Sequence, residues 1–225
     1  AGNPKNRGAV MSLLFIQYWD VIQGREKEYS DYLNNTYLAE ITTLGLVPVG
    51  GYFVEVGFGP RTITAFSSES LEDISRIITG QGFRDLALGL RRYVANYNST
   101  VLEPDGTVKL GRYPVQKGVW KFNQYYDLRP DMKERYGDFM TNEYLPAMAK
   151  IDYVTVTNCW NVVLGGFCDI ILEITFKDPE DIGHLLKNND LQRITRKLIR
   201  EFVTNYTNRI QRTTKWFSDP RWFRR

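Results

Sequence analysis

The sequence predicts an α+β protein in which two consecutive units of order β-α-β-β-α-β form one barrel with pseudo-twofold symmetry. Three observations support this fold class. Residues 15–38 align without a gap on residues 122–145, and nine of the 24 aligned positions are identical. Composition alone would give about one or two identities over that length. The same order of predicted elements follows in both copies, and the segment between the copies is rich in turn-forming residues.

Each unit begins with a short aromatic strand, at residues 13–19 and 119–126. A helix follows, because its apolar residues recur at the spacing of one buried helical stripe. The stripe consists of Tyr29, Tyr32, Leu33, Tyr37, Ile41 and Leu44, matched by Tyr136, Phe139, Met140, Tyr144, Met148 and Ile151.

Two strands around a glycine-containing turn come next in each unit, at residues 47–56 and 62–66, and at residues 153–163 and 168–176. Ser70 and Asp178 then occupy capping positions, each followed by acidic residues, which predicts the start of a second helix. The final strands are expected at residues 97–102 and 206–213. The domain organisation is therefore an arm (1–10), a first unit (11–102), a linker (103–117), a second unit (118–212) and a basic aromatic tail (213–225).

This unit is the ferredoxin-like arrangement, which leaves one face of its sheet bare, so two copies can bury their bare faces against each other. The chain resembles the dimeric α/β-barrel superfamily in a form where one chain supplies both halves. The superfamily includes antibiotic-biosynthesis-type monooxygenases, NIPSNAP and EthD proteins, muconolactone isomerase, haem-degrading monooxygenases and chlorite dismutase-like proteins. The resemblance rests on topology and on the strand–turn–helix entry QYWDVIQGREKEY, and it covers nearly all of residues 11–213.

Strand alternation assigns Phe15, Gln17 and Trp19 to the helix-covered face of the first strand. The resemblance implies that a ligand lies on this side, between sheet and helices. The recurring glutamine there is either bonded to a helix tyrosine or is a polar group that contacts a ligand. The predicted ligand-binding residues are Gln17, Trp19, Tyr29, Tyr37, Gln124, Tyr126, Tyr136 and Tyr144. The opposite face carries Lys121 and Asn123, which we expect to pair with carboxylates of the other half.

Asp20 and Asp127 end the first strands, where each would either cap the following loop or act as a catalytic base. The single histidine, His184, excludes zinc sites built on histidine, histidine-based triads and two-histidine iron sites, and it leaves one haem ligand as an alternative. No cofactor other than this alternative haem is expected.

The net charge is +3, and the tail alone contributes a surplus of three. A nucleic-acid partner is not expected, because no second basic region supports the tail. No apolar stretch approaches the roughly 18 residues of a membrane-spanning helix. Cys159 and Cys168 form no metal-binding spacing, and this sparse cysteine usage favours free thiols and a cytoplasmic location.

Three functional hypotheses follow. The first is a small-molecule-binding barrel, acting as a cofactor-independent monooxygenase, isomerase or cyclase on a hydrophobic ring compound. The second is a non-enzymatic accessory subunit or homo-oligomer that assembles through helix faces and the C-terminal tail. The third is a haem-binding protein with His184 as ligand.

Overall fold

The computed structural model describes residues 12–108 and 112–214. The predicted arm at residues 1–10 lies outside this range, as does the predicted tail beyond residue 214.

The first half begins with strand β1 (Leu13–Val21), followed by helix α1 (Glu26–Tyr32), a π-helical turn π1 (Leu33–Tyr37) and helix α2 (Leu38–Thr43). Strands β2 (Val47–Val56) and β3 (Thr62–Ser68) come next. Helices α3 (Leu71–Thr79) and α4 (Gln81–Leu90) then lead to strand β4 (Val94–Pro104).

The second half repeats this order. It contains β5 (Trp120–Leu128), α5 (Lys133–Phe139), the turn π2 (Met140–Tyr144), α6 (Leu145–Met148), β6 (Thr155–Gly165), β7 (Ile170–Phe176), α7 (Glu180–Lys187), α8 (Asn189–Glu201) and β8 (Val203–Thr213). The strands form a closed antiparallel barrel in the order β1-β3-β2-β8-β5-β7-β6-β4. The halves therefore join at two equivalent seams, β2 with β8 and β6 with β4.

The element boundaries depart from the sequence expectations in two respects. Each predicted second helix is two helices, separated where Gly80 and Asn188 adopt extended backbone. Ser70 caps α3, because its side chain accepts a hydrogen bond from the Asp73 amide. The predicted cap at Asp178 is wrong: α7 is preceded by Pro179, and no side chain caps it.

Three buried clusters fill the molecule. The first core lies between the first-half strands and helices and contains Phe15, Trp19 and Phe66. The second core is its counterpart around Phe122, Tyr126 and Leu172. The third cluster is the barrel interior, which includes Leu14, Tyr18 and Tyr125. The predicted assignment of the β1 faces is confirmed, because alternate residues of β1 enter the first core and the barrel interior.

Candidate functional site

The two glutamines predicted to bind a ligand, Gln17 and Gln124, lie at equivalent and fully buried positions. Each is next to the π-helical turn of its own half. Turns of this kind are rare and occur frequently at functional sites. Tyr37 ends π1, and its hydroxyl donates to Gln17 Oε1 at 2.8 Å. Tyr144 ends π2, and its hydroxyl accepts from Gln124 Nε2 at 2.9 Å. Each half therefore contains a strand amide joined to a helix tyrosine.

The Gln17 amide is satisfied at both ends. Its Nε2 donates to the Tyr97 hydroxyl at 2.6 Å, and its Oε1 accepts from Tyr37 and, at 3.4 Å, from the Thr64 hydroxyl. Because both polar atoms of this side chain have partners within the protein, the geometry agrees with the alternative in which Gln17 is bonded to a helix tyrosine.

The Gln124 amide is satisfied at one end only. Its Oε1 is buried and has no hydrogen-bond partner among the residues that the structure describes. Thr64 is paired with Gln17 in the sheet, whereas Leu172 is paired with Gln124. The second half therefore lacks the threonine hydroxyl that donates to Gln17 Oε1. Turning the amide round would put Nε2 at this position and let Oε1 accept from the Tyr144 hydroxyl. A buried polar group without a partner costs about 1–3 kcal/mol.

The other predicted aromatic residues form matching stacks in the two cores. Trp19 stacks on Tyr97 with ring centroids 6.3 Å apart, and its Nε1 donates to the Tyr29 hydroxyl at 3.0 Å. Tyr126 stacks on Tyr206 at 6.2 Å, and it shares a 2.9 Å hydrogen bond with Tyr136. All of the predicted ligand-binding side chains are thus buried and linked to neighbours.

The second core adds a thiol to this arrangement. The Tyr136 hydroxyl lies 3.6 Å from Cys159 Sγ, which extends the contact between Tyr126 and Tyr136 into a short chain of hydrogen-bonding groups. Burial raises the pKa of the Tyr136 hydroxyl and of the Cys159 thiol well above their ordinary values. These groups therefore stay protonated at neutral pH, where they can donate a hydrogen bond but cannot act as bases.

The two aspartates that end β1 and β5 make the same contacts in both halves. Asp20 accepts from the Arg61 amide at 2.8 Å and from the Asn96 side chain at 2.8 Å. Asp127 accepts from the Asp169 amide at 2.9 Å and from the Asn205 side chain at 2.7 Å. Both asparagines have positive φ, at 54° and 52°. Each carboxylate thus joins the start of β3 or β7 to a positive-φ residue of β4 or β8, which is a structural role but not the predicted cap on the loop after β1 or β5.

The position of His184 does not fit a haem ligand. Its side chain is 66% exposed on α7 and lies 3.8 Å from Asp181. Its ring contacts Tyr153 at 6.2 Å. The buried residues of α7 are Ile182 and Leu185, so the histidine is on a face that does not enter the second core.

Two surface grooves open on the helix layer of the second half. One measures about 270 Å³ and is bordered by Phe139, Asn142, Lys197 and Phe202, among others. The second measures about 200 Å³ and lies over Met148, which belongs to the second core. Phe139 packs on Tyr144 with ring centroids 6.1 Å apart, so the first groove reaches a neighbour of the tyrosine that bonds to Gln124.

The barrel interior contains a buried charged network, of which the sequence predicted Lys121 but not its partners. Lys121 Nζ lies 2.8 Å from Glu173, and Tyr113 bonds to both side chains. The expectation of a carboxylate from the other half is wrong, because Glu173 lies on the neighbouring strand β7. Burial alone would lower the pKa of Lys121, but Glu173 and Tyr52 outweigh it and raise the pKa. Glu173, the single acidic residue in the apolar strand sequence IILEITF, could have indicated this network. No sequence pattern indicated that Tyr113 of the linker takes part.

Among the described residues, no group of three or more histidine, cysteine, aspartate or glutamate side chains could hold a metal ion. Within the same ranges, no helix is long and apolar enough to cross a membrane.

Comparison with known proteins gives similarity at the level of the fold. No protein-family profile matches the sequence, and no curated protein matches it either. An anthrone oxidase-like protein superimposes with a TM-score of 0.65 and 8% identity, over 91% of this chain and 92% of that chain.

Two further solved structures are similar to the same extent. A candidate monooxygenase from Lactobacillus acidophilus gives a TM-score of 0.60 and 11% identity, over 90% and 94% of the two chains. A haem-binding protein from Thermus thermophilus gives 0.61 and 10% identity, over 92% and 93%. The chain therefore shares the α/β-barrel fold of these proteins, and the similarity extends to the fold alone.

Proposed function

We propose that this protein binds a small hydrophobic ring compound in the second core, between the sheet and the helices of the second half. The observation that carries the proposal is the unpaired end of the buried Gln124 amide. A ligand hydroxyl would donate to Oε1, or, with the amide turned round, a keto oxygen would accept from Nε2. Tyr126, Tyr136 and Tyr144 would surround the ring. The equivalent first-half set, Gln17, Trp19, Tyr29 and Tyr37, would then serve the stability of the fold.

The composition of the second core supports this choice of half. Met140, Met148 and Cys159 are buried there. The alignment and the strand register place Leu33, Ile41 and Gly51 at the same positions of the first half. Methionine has three rotatable bonds and adapts its shape to irregular spaces, whereas a β-branched isoleucine is stiff. The second core can thus rearrange around a ligand at a smaller cost than the first core, with the two grooves as approaches.

The reaction that we propose is a cofactor-independent monooxygenation. The names of two fold neighbours, a candidate monooxygenase and an anthrone oxidase-like protein, support this class. Applied to anthrone, the reaction consumes one O₂ and yields anthraquinone and one water. With its amide turned so that Oε1 accepts from the Tyr144 hydroxyl, Gln124 would donate from Nε2 to the keto oxygen and stabilise the negative charge that develops on it. An isomerase or a cyclase would use the same cleft, and O₂ consumption separates it from a monooxygenase.

We also propose that gene duplication produced the two halves and that a pseudo-twofold axis relates them. Repeated π-helical turns, paired aspartates with positive-φ asparagines, and matching aromatic stacks support this origin. The division into units 11–102 and 118–212 with a linker at 103–117 belongs to the same proposal. The linker is more than a tether, because Tyr113 is buried in the barrel interior.

The experiment that tests the function is a titration of the full chain with anthrone, followed by tryptophan fluorescence, with O₂ uptake measured in parallel. We expect saturable binding that Gln124→Leu weakens at least about tenfold, the effect of one lost hydrogen bond to a buried group. Gln17→Leu is the matched variant, measured at a temperature where circular dichroism shows it folded, and it should retain binding. Equal binding by the wild type and Gln124→Leu would contradict the proposal.

Assembly into a homo-oligomer or a larger complex is the second candidate function. The observation that favours it is apolar exposure on the helix layer, where Leu88 is 60% and Leu186 is 46% exposed. Leu88→Glu and Leu186→Glu should each lower the mass in solution measured by light scattering if these helix faces form the contact. An unchanged mass would remove the helix faces from the proposal.

A further inference from the structure

A second buried cation lies in the barrel interior, on β8, where it pairs with Asn123 of β5, two residues from Lys121. Arg209 is on β8, and its side chain is 1% exposed. Four aromatic rings surround its guanidinium, with centroids 4.1 to 5.4 Å from Cζ. These rings belong to Tyr18, Phe58, Tyr125 and Phe167.

No carboxylate pairs with this guanidinium among the residues that the structure describes, and its Nε and Nη1 atoms are buried without a hydrogen-bond partner. The same barrel shows how a buried cation is usually accommodated, since Lys121 is bonded to Glu173 and Tyr113. Aromatic faces attract a cation but offer no acceptor in the plane of its N–H groups. Arg209 therefore retains hydrogen-bonding capacity that no described residue satisfies.

The loop between β2 and β3 passes close to the guanidinium of Arg209 at Gly59. A Cβ atom at Gly59 would lie 2.7 Å from Arg209 Nη2, so any other residue there would crowd the guanidinium. Gly59 also has a φ of +73°, which favours glycine. Phe58 and Phe167 meet edge to face with ring centroids 4.8 Å apart, and Phe167 is 45% exposed. We call the region formed by Gly59 and these two rings the barrel mouth.

The ligand of such a site combines a negative charge with a flat apolar surface. Arginine recognises carboxylates through its planar array of N–H donors. The phenylalanine rings would pack on an aromatic ring. The interior cavity beside Tyr18 and Tyr125 has only about 20 Å³, room for roughly one water molecule, so the ring of a ligand would stay at the mouth.

We propose that the barrel mouth at Arg209 binds an aromatic carboxylate, with the carboxylate on the guanidinium and the ring between Phe58 and Phe167. Entry requires Phe167 to turn outward, which its exposed position permits. This site lies on the interior face of the sheet, whereas the Gln124 site lies on the helix-covered face. The two sites are independent, so either can fail without the other.

The test is thermal unfolding of the full chain with benzoate, compared with benzamide, its neutral counterpart. At benzoate concentrations about a hundredfold above the dissociation constant, we expect the Tm to rise by about 5–10 °C. Benzamide should give no comparable rise, because it lacks the charge that Arg209 would pair with.

Two variants and one control locate the effect. Arg209→Met replaces the unpaired charge by an apolar side chain of similar length, so it should fold and lose the benzoate response. Gly59→Ala keeps the charge but crowds Nη2, and it should weaken benzoate binding at least about tenfold. Gly24→Ala is the matched control, because Gly24 has a similar φ of +83° with nothing within 4 Å of the added Cβ.

The proposal stands if the wild type and Gly24→Ala respond to benzoate while Arg209→Met and Gly59→Ala do not. It is overturned if the wild type shows no shift in Tm, if benzamide acts as strongly as benzoate, or if Arg209→Met responds like the wild type.

Discussion

The first and second cores are built on the same frame and differ in how the frame is completed. In both, a strand glutamine meets a tyrosine that ends a π-helical turn, beside a pair of stacked aromatic rings. In the first core, Tyr97 and Thr64 complete the hydrogen bonds of Gln17. In the second core, Leu172 stands in the place of Thr64, and one end of Gln124 stays unpaired.

This difference teaches that matching positions in the two halves need not keep a common role. The Gln17 amide bonds to both Tyr37 and Tyr97, whereas the Gln124 amide bonds to Tyr144 and not to Tyr206, the counterpart of Tyr97. The second core has Met140 and Met148 where the first core has Leu33 and Ile41, and the flexible methionines make the second core easier to deform. This contrast supports the proposal that the second half, and not the first, binds the ligand.

The largest expected effect tests whether the two cores are equally packed. Phe15 and Phe122 are equivalent and buried, at 2% and 3% exposure. Replacing either by alanine should lower the free energy of unfolding by about 3–5 kcal/mol in urea denaturation, because a large cavity remains. Phe→Leu at the same positions is the control and should cost less. A loss below about 1 kcal/mol at one position would show that its strand packs differently from its counterpart.

The next effect concerns the thiols, which both lie in the second half. Burial, reinforced by Asp127 and Asp169, raises the pKa of Cys168 to about 12. Because the thiolate is the reactive form, alkylation of Cys168 by iodoacetamide at pH 8 should be about a hundredfold or more slower than in urea-unfolded chain. Cys159→Ser isolates this thiol for the measurement.

The sign of the pH dependence follows from the same shift. The unfolded chain releases the Cys168 proton near pH 9 and the folded chain near pH 12. The contribution of this group to stability is thus complete below pH 9 and is lost as the pH rises toward 12. Equal alkylation rates for folded and unfolded chain at pH 8 would show that the second half opens too readily to bury this thiol.

The smallest expected effect probes the second donor to Gln17 Oε1, which has Leu172 in its place in the second half. Thr64→Val removes the hydroxyl that donates to Gln17 at 3.4 Å, and it should cost about 0.5–1 kcal/mol in urea denaturation. Thr64→Ser retains the hydroxyl and serves as the control for hydrogen bonding. A Thr64→Val variant as stable as the wild type would mean that this contact does not distinguish the two cores.

Much of the fold could be predicted because the chain repeats its pattern. The match of residues 15–38 to residues 122–145 fixed the equivalence of the elements, and strand alternation placed Gln17 and Gln124 on the helix-covered face. A bond from each glutamine to a helix tyrosine was one of the two alternatives that the sequence left open. The hydrogen bonds to residues of other strands could not be predicted, since they depend on which residues face each glutamine across the sheet. Thr64 and Leu172 are distant from those glutamines in sequence.

Other features carried no local pattern. Tyr113 lies in a linker without periodicity, yet it enters the barrel and bonds to Glu173. Arg209 occupies an ordinary position in a polar strand sequence, and only closure of the barrel brings the four rings around it. Both are products of long-range packing, which strand and helix periodicity do not encode.

The measurement that tests the comparison most directly is the stability of Gln17→Leu and Gln124→Leu in urea. Gln17→Leu leaves the Tyr37 and Tyr97 hydroxyls without their partner, so it should lower the free energy of unfolding by about 2–3 kcal/mol. Gln124→Leu removes an amide that is half unpaired and should change stability by less than about 1 kcal/mol. Equal losses in the two variants would contradict the assignment of different roles to the two halves.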